Sequence, residues 1–229
     1  MDFGEVMRAF SENRQSYVPF FENNNDLSRM YQLYNAGIKE LRTKLEILDS
    51  EFMLMYEHDP IHHIEYRLKS PRSIEEKLWK KNMEFKLENV GEHINDVGGI
   101  RVICCFLEDI YHVSGLLLAQ NDVELVQKKD YIVQPKPSGY RSLHLVVSVP
   151  VYFSDHSERV KVEIQFRTIA MDFWASLEHQ LKYKSGKDVP ESLRDELLDC
   201  ADSISNLDRR MQRIHRKINE EPFRAVDNE

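Results

Sequence analysis

The sequence predicts an α/β (α+β) chain: a mixed β-sheet core flanked by helices, with a long helix towards each end. Three observations lead there. A stretch near each terminus carries apolar residues at alternating steps of four and three, the mark of an amphipathic helix. The residues between them hold runs that alternate apolar and polar with the period of a strand. With 41% hydrophobic and 31% charged residues, the 229-residue chain can bury a core and suits one domain with extensions, or at most two small domains.

Taken in order, a shorter helix is expected before the polar break Glu22-Asn23-Asn24-Asn25. Asp26 then caps a long helix whose stripe is Leu27, Tyr31, Tyr34, Ile38, Leu41, Leu45, Leu48, Phe52 and Met55, stopped near Glu57 by His58-Asp59-Pro60. Either Ser70-Pro71 or Ser73 with Glu76 opens a helix expected over 71–83. Ile100 to Phe106 reads as a buried strand, 109–120 as a helix, and Ser142 to Val149 as a second strand. From Val160 to Arg167 the alternation is clean, with Lys161, Glu163, Gln165 and Arg167 on the polar face. Thr168 is the expected N-cap of a helix over 169–184, with Ala170, Trp174, Leu177 and Leu181 as its core stripe and Asp172, Ser176, His179 and Tyr183 on a more polar side. The last helix starts near Pro190, with its stripe at Leu193, Leu197, Cys200, Ile204, Leu207, Met211, Ile214 and Ile218. The two end helices either pack within the chain or form a subunit seam. The expected division is a helical extension over 1–60, a core over 61–186 and a helical segment over 187–229.

A net charge of -8 argues against a broad duplex-binding surface, yet a small basic cluster can still hold a polyphosphate, because distant charges are screened. There is no basic, apolar leader and no run long and apolar enough to span a bilayer, so the expectation is a cytoplasmic protein without a membrane segment. Cys104, Cys105 and Cys200 have no metal-site spacing and read as reduced, buried thiols.

Four segments carry chemistry. The helix after Ser70 would present first-turn amides to an anion, with Ser73, Lys77 and Lys80 or Lys81 along one face and Arg67 and Lys69 just before it, enough to grip a triphosphate. Asp96, ahead of Gly98-Gly99 and a buried strand, is placed to hold Mg²⁺, which takes one or two carboxylates plus substrate phosphates. If the strands share a sheet, Glu163 faces the same way as His144, across from Asp96, and the pair suits metal-assisted phosphoryl chemistry. In Pro135 to His144, Tyr140 offers a face to a base while Lys136, Arg141 and His144 reach phosphates. Each segment also has a plainer reading: a solvated basic helix, a turn aspartate, the wet side of a sheet, a proline–glycine turn.

Their order is more specific than any one of them. Arg67-x-Lys69-x3-Ser73-x3-Lys77, then Asp96-Val-Gly-Gly-Ile-Arg101, then Lys136-Pro-Ser-Gly-Tyr-Arg-Ser-Leu-His144, then Val162-Glu-Ile-Gln-Phe-Arg-Thr168, then Phe173-Trp-Ala-Ser-Leu-Glu-His179 resembles the synthetase domain of RelA/SpoT-type enzymes, over roughly residues 60–185. Length and flanking helices resemble the small alarmone synthetases, nearest the RelP branch. The resemblance implies a nucleotidyltransferase-like core and transfer of pyrophosphate from ATP to the 3′-hydroxyl of GDP or GTP. It implies that Arg67 and Arg101 sandwich adenine and that Lys69, Ser73, Lys77 and Lys80 hold the ATP phosphates. Asp96 would bind Mg²⁺, and Glu163 would help bind it or deprotonate the acceptor. Tyr140 would stack on guanine, with Lys129, Lys136, Arg141 and His144 around the acceptor phosphates and Asp172 near the base, where other small synthetases carry asparagine. It further implies a homotetramer. The hydrolase domain of longer relatives is not expected, and the His58-Asp59 dipeptide reads as a helix terminus. Two alternatives stand beside this: a related enzyme using tRNA or an adenine nucleotide as acceptor, and a nucleotide sensor without turnover.

Overall fold

A computed structural model describes residues 4–6, 8, 24–56, 58–185 and 191–220. From residue 24 onward the elements run, in chain order, α1 (Asn24–Tyr56), β1 (Ile61–Leu68), α2 (Pro71–Trp79), α3 (Leu87–His93), β2 (Gly98–Cys104), α4 (Leu107–Leu118), β3 (Glu124–Asp130), β4 (Leu143–Tyr152), β5 (Ser157–Thr168), α5 (Ile169–Ser185) and α6 (Glu191–Glu220). Most of the shorter helix expected before Asp26, together with Pro190 and the tail beyond Glu220, lies outside the described residues.

One five-stranded sheet forms the centre, in the order β1-β2-β5-β4-β3. The β2–β5 pair is parallel and the other three are antiparallel, so the sheet is mixed as expected. Alternation along each strand divides the sheet into two faces. Val160, Val162, Ile164 and Phe166 of β5 are buried on one side with Leu143, Leu145, Val147 and Val149 of β4 and with Ile100 and Val102 of β2.

Helix α1 lies over that apolar face. Its stripe from Leu27 to Leu48 joins the same cluster, Phe52 is buried, and the last stripe residue, Met55, is exposed. The contact is close at Gly37: a Cβ there would sit 2.4 Å from Val160 Cγ1. The helix starts at Asn24, so Asp26 is not the cap but falls in the first turn, where its charge complements the dipole.

Several boundaries differ from expectation. Helix α2 ends at Trp79 and is capped by Ser70, whose side chain accepts from Ser73 N–H. The short α3 and the strands β1 and β3 did not show in the periodicity. Cys105 is half-buried and Cys200 is exposed, against the expectation of buried thiols.

The C-terminal half closes the polar face. Thr168 caps α5 by accepting from Met171 N–H and donates to Asp208 of α6 at 2.7 Å. Trp174 and Ala175 pack on Ala201, and the Trp174 indole donates to the Leu197 carbonyl. The α5 core side is therefore Met171, Trp174 and Ala175; Leu177 and Leu181, expected in that stripe, are exposed. On α6 the apolar stripe stays largely open, with Leu193, Leu207, Met211, Ile214 and Ile218 all exposed, while Ala201, Ser205 and Gln212 are buried.

Candidate active site

The strand register assembles the site. Glu65 of β1 aligns with Arg101 of β2, Arg101 with Gln165 of β5, Gln165 with His144 of β4, and His144 with Lys129 of β3. One row of polar side chains thus crosses all five strands on the face away from α1. A neighbouring row runs Arg67, Gly99, Glu163. Four stretches far apart in sequence meet on this surface because the sheet pairs them.

At one end, Asp96 sits in the turn before β2. It accepts from Lys69 Nζ at 3.0 Å and from Lys77 Nζ at 2.7 Å. Burial would raise its carboxyl pKa, but the Lys77 and Lys69 ammoniums outweigh that and hold it below the ordinary carboxylate range. The Lys69 backbone is fixed on both sides: its N–H donates to the Val97 carbonyl, and its carbonyl accepts from the buried Tyr31 hydroxyl of α1 at 2.8 Å. The start of α2 follows directly on Lys69, but Pro71 has no N–H there and the Ser73 N–H is taken by the Ser70 hydroxyl.

Glu163 projects from β5 into the same recess. Its Oε2 accepts from Gln165 Nε2 at 2.8 Å, and its Oε1 is 3.4 Å from His144 Nδ1. Burial raises its pKa and the Asp96 charge adds to that; hydrogen bonds from His144 and Gln165 prevail and leave it lowered, so both carboxylates are anionic at neutral pH. The recess, about 60 Å³, is lined by Asp96, Glu163, Arg67, Arg101 and Gln165 among others. It opens into a cleft of about 640 Å³ shared by Arg67, Arg101 and Gln165 and walled by Lys136, Tyr140, His144 and Arg167, with Glu178 and His179 of α5 on the far side.

Tyr140 stands in that wall. Its oxygen accepts from Arg167 Nη2 at 2.8 Å and is 2.8 Å from His144 Nε2. The Lys136 ammonium lies 4.6 Å from its ring centroid and the Arg167 guanidinium 5.2 Å. Burial pushes the Lys136 pKa down; the Glu163 charge opposes this, and Lys129 and Arg167 add to it. The cleft therefore gathers cations around an aromatic face, the means by which a nucleotide polyphosphate and base are held.

Some expected residues stand apart. Arg141 pairs with Asp202 of α6 at 3.0 Å instead of lining the cleft. Asp172 is drawn between Arg167, at 2.9 Å, and Arg101, at 3.4 Å. The Ser73 hydroxyl accepts from the Ser70 hydroxyl, and Lys80 is exposed at the C-cap of α2. Lys129 is exposed on β3, aligned with His144. Arg167, Gln165 and Glu65 received no role from the sequence, although the period of β5 already put Gln165 and Arg167 on the Glu163 face. A hollow of about 550 Å³ between α1, α3 and the β4–β5 hairpin contains none of the motif residues.

Comparison with known proteins places the chain in a family. The family described as "Region found in RelA / SpoT proteins" matches residues 66–188. The chain is 46% identical over 186 residues to GTP pyrophosphokinase YwaC of Bacillus subtilis, covering 81% of this chain and 89% of that one. Small alarmone synthetase 1 of Bacillus subtilis, solved with its product pppGpp, superposes with a TM-score of 0.77 at 35% identity, over 86% of this chain and all of that one. The same enzyme bound to AMPCPP gives a TM-score of 0.72 at 31% identity, again over 86% of this chain and all of that one.

Proposed function

The chain belongs to the RelA/SpoT family, and from that premise we propose that it is a small alarmone synthetase, a GTP pyrophosphokinase that makes (p)ppGpp. The reaction moves the β,γ-pyrophosphate of ATP to the ribose 3′-hydroxyl of GDP or GTP and releases AMP. One observation carries the reading on this chain: Asp96 and Glu163 line a single recess, with Lys69 and Lys77 on one side of it and Lys136, Tyr140 and His144 on the other.

ATP takes the Asp96 side. Arg67 and Arg101 flank adenine, and Lys69, Ser73, Lys77 and Lys80 meet the phosphates. The acceptor takes the other side: guanine stacks on Tyr140, and Lys129, Lys136 and His144 surround its phosphates. Arg141 and Asp172 act from behind this layer, one anchoring the loop to α6 and the other setting the two arginines between which it lies.

The two carboxylates fit Mg²⁺, since such an ion is held by one or two carboxylates and completed by substrate phosphates. Asp96 and Glu163 would hold it, and it would supply neutralisation of phosphate charge. Lys69 and Lys77, which share Asp96 in the free protein, then turn to phosphate oxygens. Glu163 takes the proton of the 3′-hydroxyl or orients it; the 3′-oxygen bonds to the β-phosphorus, the α,β-bridging bond breaks, and AMP leaves carrying that electron pair.

The open stripe of α6 supports the homotetramer that the resemblance implies, because exposed Leu207, Met211, Ile214 and Ile218 form one apolar line along a helix. No helix among the described residues is long and apolar enough to cross a membrane. His58 is engaged by Asp109 at 2.9 Å, so the reading gives the His58-Asp59 dipeptide no hydrolase role.

Incubation with Mg²⁺, γ-labelled ATP and, separately, GDP, GTP, tRNA or no acceptor tests the assignment. Label on GDP or GTP with equimolar AMP is the expected result. Label on tRNA or an adenine nucleotide would change the acceptor, and binding of nucleotides without transfer would make the protein a sensor.

A further inference from the structure

We propose that Arg167 is a positioning residue that orients, through one nitrogen, both groups that face the Glu163 carboxylate oxygens, Gln165 and His144. The proposal rests on the reading of Glu163 as a working carboxylate. Arg167 lies four residues along β5 from Glu163, on the same face, and is 5% exposed. Its Nη1 donates to Asp172 at 2.9 Å, which compensates the buried charge. That pair alone would account for a structural arginine. The two protons of Nη2 are used elsewhere: one on Gln165 Oε1 at 3.0 Å and one on the Tyr140 hydroxyl oxygen at 2.8 Å.

Each contact fixes a choice that the next group would otherwise have. A Gln165 oxygen turned to the guanidinium leaves the amide nitrogen facing Glu163 Oε2, 2.8 Å away; the flipped amide would set donor against donor. The Tyr140 oxygen accepts from the guanidinium, which has nothing but donors, and in the arrangement proposed its own proton goes to His144 Nε2, 2.8 Å away. That makes Nε2 the acceptor and puts the imidazole proton on Nδ1, the atom that faces Glu163 Oε1. Both Glu163 oxygens are thus aimed by Arg167. The path through Tyr140 also ties the wall where guanine would stack to the carboxylate that would meet its ribose.

Lysine keeps the charge but lacks the planar fork, so it cannot reach Asp172, Gln165 and Tyr140 at once. The test is a cycle of Arg167→Lys, Glu163→Gln and the double variant, reading kcat, both Michaelis constants and the melting temperature. Arg167→Lys alone should lower kcat on the order of 10²-fold, the scale of a misplaced reacting group, with little change in either Michaelis constant. In the Glu163→Gln background the same change should cost less than about twofold, because two residues acting through one path are not additive. If Glu163→Gln cripples turnover and Arg167→Lys still imposes its full factor there, the Arg167 role is overturned while Glu163 stands. Parent-like turnover in Glu163→Gln overturns the reading of Glu163 and this proposal with it. Should Arg167→Lys not fold, Tyr140→Phe carries the test: it keeps the ring and leaves Arg167 paired with Asp172. Its kcat should fall without a matching rise in the guanine-nucleotide Michaelis constant, and an unchanged kcat overturns the proposal.

Discussion

Gly139→Ala tests how the Tyr140 loop is held against α6. Gly139 has a φ of +86°, a region that costs an L-residue roughly 1–2 kcal/mol. A Cβ there would also lie 2.6 Å from Ala201 Cβ and 3.1 Å from Leu198 Cδ1. Carbon atoms prefer separations of roughly 3.5–4.0 Å, and a methyl attached directly to the backbone cannot rotate away. Helix α6 must move, or the loop must, and such overpacking costs about 1–3 kcal/mol. The two contributions add to roughly 2–5 kcal/mol. In a chain of this size each kilocalorie lowers the melting temperature by about 2–4 °C, so the expected fall is roughly 4–20 °C. The loop is clipped by Gly139 N–H on the Lys136 carbonyl and Lys136 N–H on the Tyr140 carbonyl, so the guanine-nucleotide Michaelis constant should rise as well. Thermal unfolding with Gly91→Ala as the control measures this. Nothing lies within 4 Å of a Cβ at Gly91 in α3, and that change should stabilise by about 0.5–1 kcal/mol. A Gly139→Ala protein that melts with the parent would refute the described seating of the loop on α6.

Three further outcomes are expected. Asp96→Asn should lower Mg²⁺-dependent turnover by at least ~10²-fold, and activity close to parent across a Mg²⁺ titration would remove Asp96 as a required ligand. Tyr31→Phe deletes the donor to the Lys69 carbonyl inside the core; unfolding should show a loss of about 1–3 kcal/mol with a raised ATP Michaelis constant, and a neutral result would mean that α1 does not hold Lys69. Asp49 has its pKa pushed up to about 6 by burial and a shared hydrogen bond with Asp59. Its contribution is fully present below the ordinary carboxylate range and is lost as pH rises through about 6. Asp49→Asn, which can still accept from Ile61 N–H, should therefore melt higher than the parent at pH 7.5 and gain less at pH 4.5. An equal gain at both values would contradict the shift.

The sequence showed most clearly what repeats with a fixed period. The α1 stripe and the alternation of β5 are long and uninterrupted, and both lie where expected because burial on one face enforces the pattern. The strands β1 and β3 were not legible because they are the sheet edges: β3 exposes nearly every residue, and its Gln127-Lys128-Lys129-Asp130 run is the charged chemistry that protects an edge. The α6 stripe announced a helix but not its partner, and the described chain leaves most of it uncovered. In the site, residue types and order singled out Asp96, Glu163, Tyr140 and His144, and the fold brings them to one recess and the cleft beside it. Direction was not readable. Arg141 turns to Asp202, and Asp172 falls between two arginines, because α5 and α6 fold back over the sheet and supply or take up charges from far along the chain. Arg167 escaped notice for the same reason: its partners come from the Tyr140 loop, from β5 itself and from α5, and only the fold brings them to one guanidinium.

The most direct test of the account is turnover of Glu163→Gln at saturating ATP and GDP, with ATP affinity measured on the same protein. The account predicts that pyrophosphate transfer falls on the order of 10²–10⁴-fold while ATP still binds. Transfer at the parent rate would contradict it, because the Glu163 carboxylate would then play no part in moving pyrophosphate to the acceptor.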